Sequence, residues 1–174
     1  RQHLVSVLNE AVDIDDRPTV IRYSKDPIPD DIRIVTSHDG LDVLCDGPED
    51  GILLVAHGQL CAEALAAVDQ LDSPVRVVSP RWSLPVCGGL IEEAARARAV
   101  VSVEDGLVVS GLGSHLADAL SQRGMWRPIR SLGIPQRYLD HDSRSAIMAE
   151  LGLDSRGIAD AVSQLVAQLD GEYS

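Results

Sequence analysis

The chain has 174 residues, enough for one domain and a flanking piece, and its formal charge of −12 at pH 7 argues against nucleic acid and anionic membranes as partners. Hydrophobic residues make up 45% of the chain, aromatic residues only 3%, and phenylalanine is absent, so the core must be built from Val, Leu, Ile and Ala. That composition is typical of helices packed on a largely parallel sheet.

The first part of the chain reads as the end of a domain followed by a linker. Apolar residues at one-face spacing predict a helix over 1–12, and a β-branched run predicts a strand over 19–23. Prolines and a cluster of acidic residues then predict a linker over 25–39. Because the chain does not begin with a methionine, we expect 1–24 to be the remnant of a domain that precedes a second one at 40–174.

From residue 40 onward, short apolar runs alternate with amphipathic stretches. The runs predict strands at 41–44, 52–56, 75–78, 99–103 and 128–132. The amphipathic stretches predict helices at 59–71, 90–97, 114–122, 143–151 and 155–169. Such alternation predicts an α/β fold: a three-layer, open, mostly parallel sheet with helices on both faces.

The three cysteines, Cys45, Cys61 and Cys87, are odd in number and far apart, and no Cys-x-x-Cys occurs. Neither a zinc site nor a disulfide framework is therefore indicated, and a reducing, cytoplasmic compartment fits best. No signal peptide is visible, and no apolar run approaches the roughly 20 residues of a membrane span.

One strand end carries a group of hydrogen-bond donors. Arg22, Tyr23 and Lys25 follow the β-branched run directly, and cationic and hydroxyl donors there suit an anionic group. From the residues alone, an ion pair between sheet and linker is an equally good explanation of Arg22. Packing explains Tyr23 better than binding does, and solvation explains Lys25 better.

Two further segments lie at expected strand ends. His57 follows the strand 52–56, where a sheet's carboxyl edge often carries ligands, but no acid–base partner is identifiable, so a structural role is favoured. Arg81 follows the strand 75–78, and the acidic excess favours a salt bridge over an anion site.

Two loop motifs have a functional and a structural interpretation. The glycines of Gly111-Leu112-Gly113-Ser114 precede a helix and could cradle phosphate, but the full dinucleotide fingerprint is absent and close packing is favoured. Asp140-His141-Asp142 resembles a metal cluster, but adjacent residues rarely converge on one ion without a third ligand. A surface loop with a helix cap is the favoured interpretation.

These segments together resemble the carboxyl-terminal part of the 1-deoxy-D-xylulose-5-phosphate synthases, thiamine-diphosphate enzymes of the transketolase superfamily. The resemblance is collinear along nearly the whole chain. It rests on Pro18–Tyr23, Ile52–Gly58, Val77–Trp82, Val103–Asp105, Gly111–Ser114 and above all Gly133-Ile134-Pro135-Gln136-Arg137-Tyr138-Leu139-Asp140-His141 with Glu150–Leu153. It departs from the family pattern at Ser24, Ser79, Leu84, Cys87 and Gly106.

The resemblance implies a specific chemistry for the full-length protein. The family condenses pyruvate with glyceraldehyde 3-phosphate, releases carbon dioxide, and uses thiamine diphosphate and Mg²⁺. Its product feeds isoprenoid, thiamine and pyridoxal synthesis, and its members are homodimers. The family arginine matching Arg22 helps to bind the phosphate of the aldehyde. No segment matches the family's cofactor and metal loops, so we expect this chain alone to bind no cofactor and to catalyse nothing.

Two alternatives remain open on the sequence. The chain could belong to another member of the superfamily, such as a transketolase or the β part of a 2-oxoacid dehydrogenase. It could also be a non-catalytic interaction module.

Overall fold

The computed structural model describes residues 2–21 and 31–171, and the chain divides into two compact units, Arg1–Arg33 and Ile34–Ser174. The helices are α1 (Gln2–Asp13), α2 (Leu60–Val68), α3 (Gly88–Arg96), α4 (Leu112–Ser121), α5 (Arg144–Glu150) and α6 (Ser155–Gly171). The strands are β1 (Thr36–His38), β2 (Leu41–Cys45), β3 (Ile52–Ala56), β4 (Val75–Pro80), β5 (Ala99–Leu107) and β6 (Ile129–Ile134). Among the described helices, none has the length and apolar character needed to cross a membrane.

The first unit contains the predicted amino-terminal helix. In α1, Ala11 is buried, whereas Val5 and Val12 are exposed. The strand predicted over 19–23 is wrong for its described part, since residues 19–21 carry no strand pairing. A short extended segment is marginal without a neighbouring strand, and the described residues of this unit contain none.

The second unit is built on one sheet of six strands in the order β1-β2-β4-β3-β5-β6. The four strands β4, β3, β5 and β6 are parallel, and β2 adds antiparallel to β4. The predicted α/β fold with a mostly parallel sheet is therefore confirmed. Buried strands such as β3 are continuous apolar runs because both faces of the sheet are covered.

Helices cover the two faces of the sheet in two pairs. Leu53 and Val55 of β3 pack in one core cluster with Leu90 of α3 and Leu116 of α4. The alternate residues of β3 point to the opposite face, where α2 contacts β3 and packs on α6. The chain passes from β3 to β4 through α2 on one face of the sheet, and from β4 to β5 through α3 on the other. Right-handed crossovers require this arrangement when β4 and β5 lie on opposite sides of β3.

The strand β1 was missed by the sequence analysis. It lies inside the segment 25–39, for which a linker is predicted, and it pairs antiparallel with β2 from Thr36↔Val43 to His38↔Leu41. Its Thr-Ser-His sequence has no apolar run, so the strand forms through pairing rather than local propensity.

A buried ion network ties α3 to the sheet. The carboxylate of Glu93 is only 2% exposed and accepts hydrogen bonds from Nε (3.0 Å) and Nη2 (3.3 Å) of Arg76. Arg96 and His38 also lie against Glu93, at 3.3 and 3.5 Å, and Asp46 pairs with Arg76 at 2.6 Å. Burial opposes the charge of Arg76, but the hydrogen bond and attraction of Glu93, with those of Asp46, raise the pKa of its guanidinium.

Candidate functional site

The carboxyl edge of the parallel strands is where an open α/β sheet offers a ligand site. The strand order reverses between β3 and β5, because β4 lies on one side of β3 and β5 on the other. The loops after β3 and β5 therefore diverge to opposite faces and leave a crevice between them. In this chain, the protein's own side chains fill two places along that edge. One is the start of α4, and the other is the space between the loops after β3 and β5.

The first part is the start of α4, the predicted phosphate cradle. Glu104 of β5 accepts hydrogen bonds from the backbone N–H groups of Leu112 (2.8 Å) and Gly113 (3.3 Å). A helix start attracts anions through these N–H groups and the helix dipole, so the Glu104 carboxylate takes the position that a phosphate would take.

The two glycines of this loop are explained by packing. A Cβ on Gly111 would collide with the carboxylate of Glu104, and one on Gly113 would collide with the hydroxyls of Ser102 and Ser131. The two hydroxyls are themselves hydrogen-bonded at 3.1 Å. The geometry therefore agrees with the packing interpretation of Gly111–Ser114 rather than with a phosphate cradle.

An irregularity in β5 determines where the side chains of its two acidic residues, Glu104 and Asp105, reach at this edge. Val103 pairs with Leu132 and Leu107 with Ile134, so β5 carries extra residues between these two points. Bulges of this kind re-aim side chains at the edge of a sheet. Here Glu104 reaches the start of α4, while Asp105 reaches an arginine from α5.

That arginine, Arg144, spans the second part of the crevice. Its Nη2 lies 3.0 Å from Oδ2 of Asp105 and donates to Oε1 of Gln59 at 3.2 Å. Gln59 follows β3 and Asp105 belongs to β5, so one guanidinium connects the two strands at which the order reverses. The sequence analysis missed Arg144 and Gln59, since nothing in their local pattern relates two residues so far apart.

His57 and Arg81 connect neighbouring strands. Nδ1 of His57 is 3.2 Å from the carbonyl oxygen of Pro80, and because a carbonyl only accepts, Nδ1 carries the proton in this contact. The backbone N–H of Arg81 donates to the carbonyl of Gly40 at 2.8 Å and extends the pairing of β4 with β2. The His57 contact supports the structural role that the sequence favours, while the salt bridge expected for Arg81 stays a prediction.

The segment Asp140-His141-Asp142 lies in an exposed loop before α5. Ser143 caps α5, since its Oγ accepts from the N–H of Ala146 at 3.2 Å, and Asp142 accepts from the N–H of Ser143 at 2.6 Å. Across the described residues, no group of three or more His, Cys, Asp or Glu side chains could hold a metal ion. The exposure of the segment and the cap at Ser143 agree with the interpretation as a surface loop with a helix cap.

The three cysteines are free thiols in different environments. Cys61 is buried and its Sγ donates to Oγ of Ser79 at 3.4 Å. Burial raises the pKa of the Cys61 thiol. Burial also raises the pKa of the Cys87 thiol, although that side chain is only half-buried. Neither thiol therefore has the lowered pKa of a reactive nucleophile.

The residues predicted to bind the anionic group, Arg22, Tyr23 and Lys25, lie outside the described residues. The phosphate-binding role of Arg22 therefore stays a prediction.

Comparison with known proteins identifies the chain's relatives. Residues 42–158 match the family model described as transketolase, C-terminal domain. The chain is 43% identical over 173 residues to 1-deoxy-D-xylulose-5-phosphate synthase 2 of Streptomyces avermitilis, covering 95% of this chain and 27% of that protein. It is 40% identical over 178 residues to 1-deoxy-D-xylulose-5-phosphate synthase of Corynebacterium glutamicum, covering 97% and 28%.

Solved structures agree with this fold. A structure described as "Split gene transketolase, inactive beta4 tetramer" has a TM-score of 0.62 at 29% identity, over 75% of this chain and 42% of that chain. Transketolase from Campylobacter jejuni has a TM-score of 0.52 at 16% identity, over 76% and 20%, and shows the fold alone.

The chain thus spans about a quarter of the length of the curated synthases that it matches. The resemblance to their carboxyl-terminal part, first drawn from the ordered motifs, is confirmed. On the matched residues and the shared sheet, the chain belongs to the transketolase C-terminal domain family.

Proposed function

We propose that this chain is the carboxyl-terminal part of a 1-deoxy-D-xylulose-5-phosphate synthase. The observation that carries the proposal is the 40–44% identity to several synthases of that name, over 93–97% of the chain. The full-length protein would condense pyruvate with glyceraldehyde 3-phosphate and release carbon dioxide. We further propose that it acts in the cytoplasm, which the free cysteines support, and as a homodimer, which the family resemblance supports.

Thiamine diphosphate and Mg²⁺ would supply the carbanion chemistry of that reaction when bound to the full-length enzyme. The described residues of this chain do not fit either group. The one glycine-flanked helix start discussed above is filled by Glu104, and no described acidic cluster could hold the metal. We therefore assign no chemical step to the described residues and propose that the chain alone is inactive.

Arg22 is the residue that we propose for substrate binding. Its position after the β-branched run matches the family arginine that holds the aldehyde's phosphate. A guanidinium presents a fixed fork of N–H donors, so it can hold a phosphate and orient the neighbouring carbonyl for attack.

The assay of the full-length protein tests the proposal. Formation of 1-deoxy-D-xylulose 5-phosphate from pyruvate and glyceraldehyde 3-phosphate, dependent on thiamine diphosphate, is the expected result. Transfer of a two-carbon unit between sugar phosphates, without use of pyruvate, would instead indicate a transketolase. Absence of both activities in the folded protein would favour an interaction module.

The role of Arg22 has its own test. In the full-length enzyme, Arg22→Ala should lower kcat/KM for glyceraldehyde 3-phosphate by about 10- to 150-fold, the effect of about 1.5–3 kcal/mol from one charge-assisted contact. Unphosphorylated glyceraldehyde should be used equally well by both proteins. Arg17→Ala is the matched control, because Arg17 is exposed and pairs with its neighbour Asp16. An equal loss with both aldehydes would contradict a phosphate contact.

A further inference from the structure

The strand β6 leaves one edge of the sheet open. Among the described strands it pairs with β5 alone, so the backbone groups on its other side have no strand partner there. All six residues of β6 are half-buried, whereas β3, inside the same sheet, is buried throughout. The opposite edge strand, β1, has only three residues. Because an open strand edge is a template for a further strand, β6 is the longer of the two places where an extended segment can add to this sheet.

A groove of about 510 Å³ crosses this open edge at the start of β6. It is lined by Leu120 of α4, Leu165 of α6 and Ile129 of β6. Since α4 and α6 cover opposite faces of the sheet, a groove that both helices line runs over the edge between them. Trp126, 77% exposed, also lines it and offers an aromatic ring to a bound side chain. Apolar groups therefore flank the backbone edge of β6.

Two arginines in the same groove carry positive charge that no described carboxylate neutralises. Arg127 donates from Nε to the carbonyl of Ala97, just after α3, at 2.9 Å. Arg130 donates to the carbonyl of Ala161 at 3.0 Å and to the side-chain amide oxygen of Gln168 at 3.2 Å. All the oxygens that accept from either guanidinium are neutral. A guanidinium has more N–H donors than these contacts use, so both arginines can still bind an anion.

This charge state is unusual for the chain, which has 27 acidic residues against 15 lysines and arginines. With so many carboxylates available, arginines elsewhere in the structure form ion pairs: Arg76, Arg98, Arg137 and Arg144 each lie within 4.0 Å of one. Two guanidiniums without such a partner in one groove indicate that the matching negative charge comes from another molecule.

We propose that the open edge of β6 and the groove lined by Leu120, Trp126, Ile129 and Leu165, together the β6 groove, bind an acidic peptide segment that adds to the sheet as a further strand. Backbone hydrogen bonds to β6 hold the segment, and its side chains contact Trp126 and the two arginines. The inference goes beyond the proposed reaction, because it requires neither substrate nor cofactor.

The positions of the two arginines define the charge pattern of that peptide. Arg127 reaches the end of α3, whereas Arg130 reaches α6, so the two guanidiniums lie toward opposite faces of the sheet. Side chains of an added strand alternate between the same two faces. Acidic residues an odd number of positions apart would therefore each meet one arginine.

A second copy of the chain fits this edge poorly. If β6 paired with β6 of another copy about a two-fold axis, the same edge of both copies would meet. Arg127 and Arg130 would then face the same two arginines of the other copy, and like charges on facing strands are destabilising. The charge pattern therefore favours a foreign, acidic segment over self-association.

Binding of a synthetic peptide to the 174-residue chain tests the proposal. The probe is acetyl-Val-Glu-Val-Val-Glu-Val-amide, and the control peptide has Lys in place of both Glu residues. By isothermal titration calorimetry, the Glu peptide should bind with a dissociation constant below about 1 mM, and the Lys peptide should not bind. With the Glu peptide at about ten times its dissociation constant, the outward-facing amides of 129–134 should exchange about tenfold more slowly, because only the free protein exchanges. Amides of β1, at the other edge, are the internal reference and should not change.

Three variants assign the binding to the groove. Arg130→Glu should raise the dissociation constant of the Glu peptide at least about tenfold, since an attraction becomes a repulsion. Arg123→Glu makes the same charge change at an exposed arginine that donates to the carbonyl of Ala119 and lies outside the groove, so binding should stay within about twofold. Trp126→Ala should also weaken binding, and because Trp126 is exposed its removal should leave the thermal midpoint unchanged. This second groove variant keeps the test valid if Arg130→Glu does not fold.

Several outcomes would overturn the proposal. Equal binding of the two peptides, or no binding of the Glu peptide, would exclude the charge preference. Binding without slower exchange in β6 would show a charge contact and no added strand. Slow exchange of β6 that rises with the concentration of the chain alone would make a second copy the occupant, and slow exchange in the full-length protein without peptide would place another part of that protein on the edge.

Discussion

Replacing Glu93 by Gln should destabilise the second unit strongly while preserving its shape. The change removes one negative charge that is 2% exposed and that faces Arg76, Arg96 and His38. Arg76, itself 8% exposed, could still donate to the amide oxygen of Gln, but among the described residues its remaining anionic partner would be Asp46, whose side chain is 70% exposed. Breaking a buried pair by removing one partner costs about 3–5 kcal/mol, and the remaining Asp46 contact places the expected loss at about 3 kcal/mol.

Urea unfolding of the 174-residue chain, followed by tryptophan fluorescence, measures this loss. Both tryptophans, Trp82 and Trp126, lie in the second unit, so the signal reports on the unit that contains Glu93. Asp170→Asn is the matched control, because its 2.7 Å bridge to Arg98 is exposed on both sides and should contribute less than about 1 kcal/mol.

A double variant tests the reason for the loss. Arg76→Met combined with Glu93→Leu removes both charges together, so no unpaired charge remains buried. It should be more stable than either single variant. The reasoning is refuted if Glu93→Gln costs no more than the exposed control, or if the double variant loses the sum of the two single losses.

Three further outcomes follow from the carboxyl edge and the cysteines. Glu104→Ala should cost about 1–2 kcal/mol by uncapping α4, whereas Glu150→Ala, which breaks an exposed 3.4 Å bridge to Arg137, should cost less in the same unfolding experiment. Gly113→Ala should cost about 1–3 kcal/mol because its methyl group meets the hydroxyls of Ser102 and Ser131, while Gly171→Ala, with open space around it, should be neutral; equal effects would contradict the packing interpretation. Iodoacetamide at pH 8 should label Cys45 well before Cys61, because burial shields Cys61 from the reagent. Burial also raises the pKa of the Cys61 thiol, so Cys61 stays in the unreactive protonated form to a higher pH. Equal labelling rates of the two cysteines, measured by peptide mass spectrometry, would disprove this.

The parts of the fold that local pattern determines were predictable. The continuous apolar run of β3 and the mainly apolar runs of β4 and the start of β5 predict these strands, because a parallel strand covered on both faces is buried on both faces. The strand β1 was not predictable, since its three residues depend on pairing with β2. The bulge in β5 was missed for the same reason: its register is a property of two strands together.

The candidate site divides in the same way. The glycines of Gly111–Ser114 predict a tight turn, but only the fold shows that the carboxylate of Glu104 binds the N–H groups of this turn. The contact of Arg144 with Gln59 joins residues 85 positions apart, a relation that no local pattern encodes. Contacts of this kind come from the topology, which brings the loops of distant strands to one edge.

Because the carboxylate of Glu104 neutralises the start of α4, the stability of this helix start does not depend on a bound anion from solution. A fold that borrows a phosphate to neutralise a helix start gains stability only when that ligand is abundant. Here the neutralising anion is covalently part of the chain, so the domain carries its own counterion at constant effective concentration. Its integrity is thereby uncoupled from the supply of phosphorylated metabolites, and compounds that mimic a phosphate would have to displace a tethered competitor to occupy this turn.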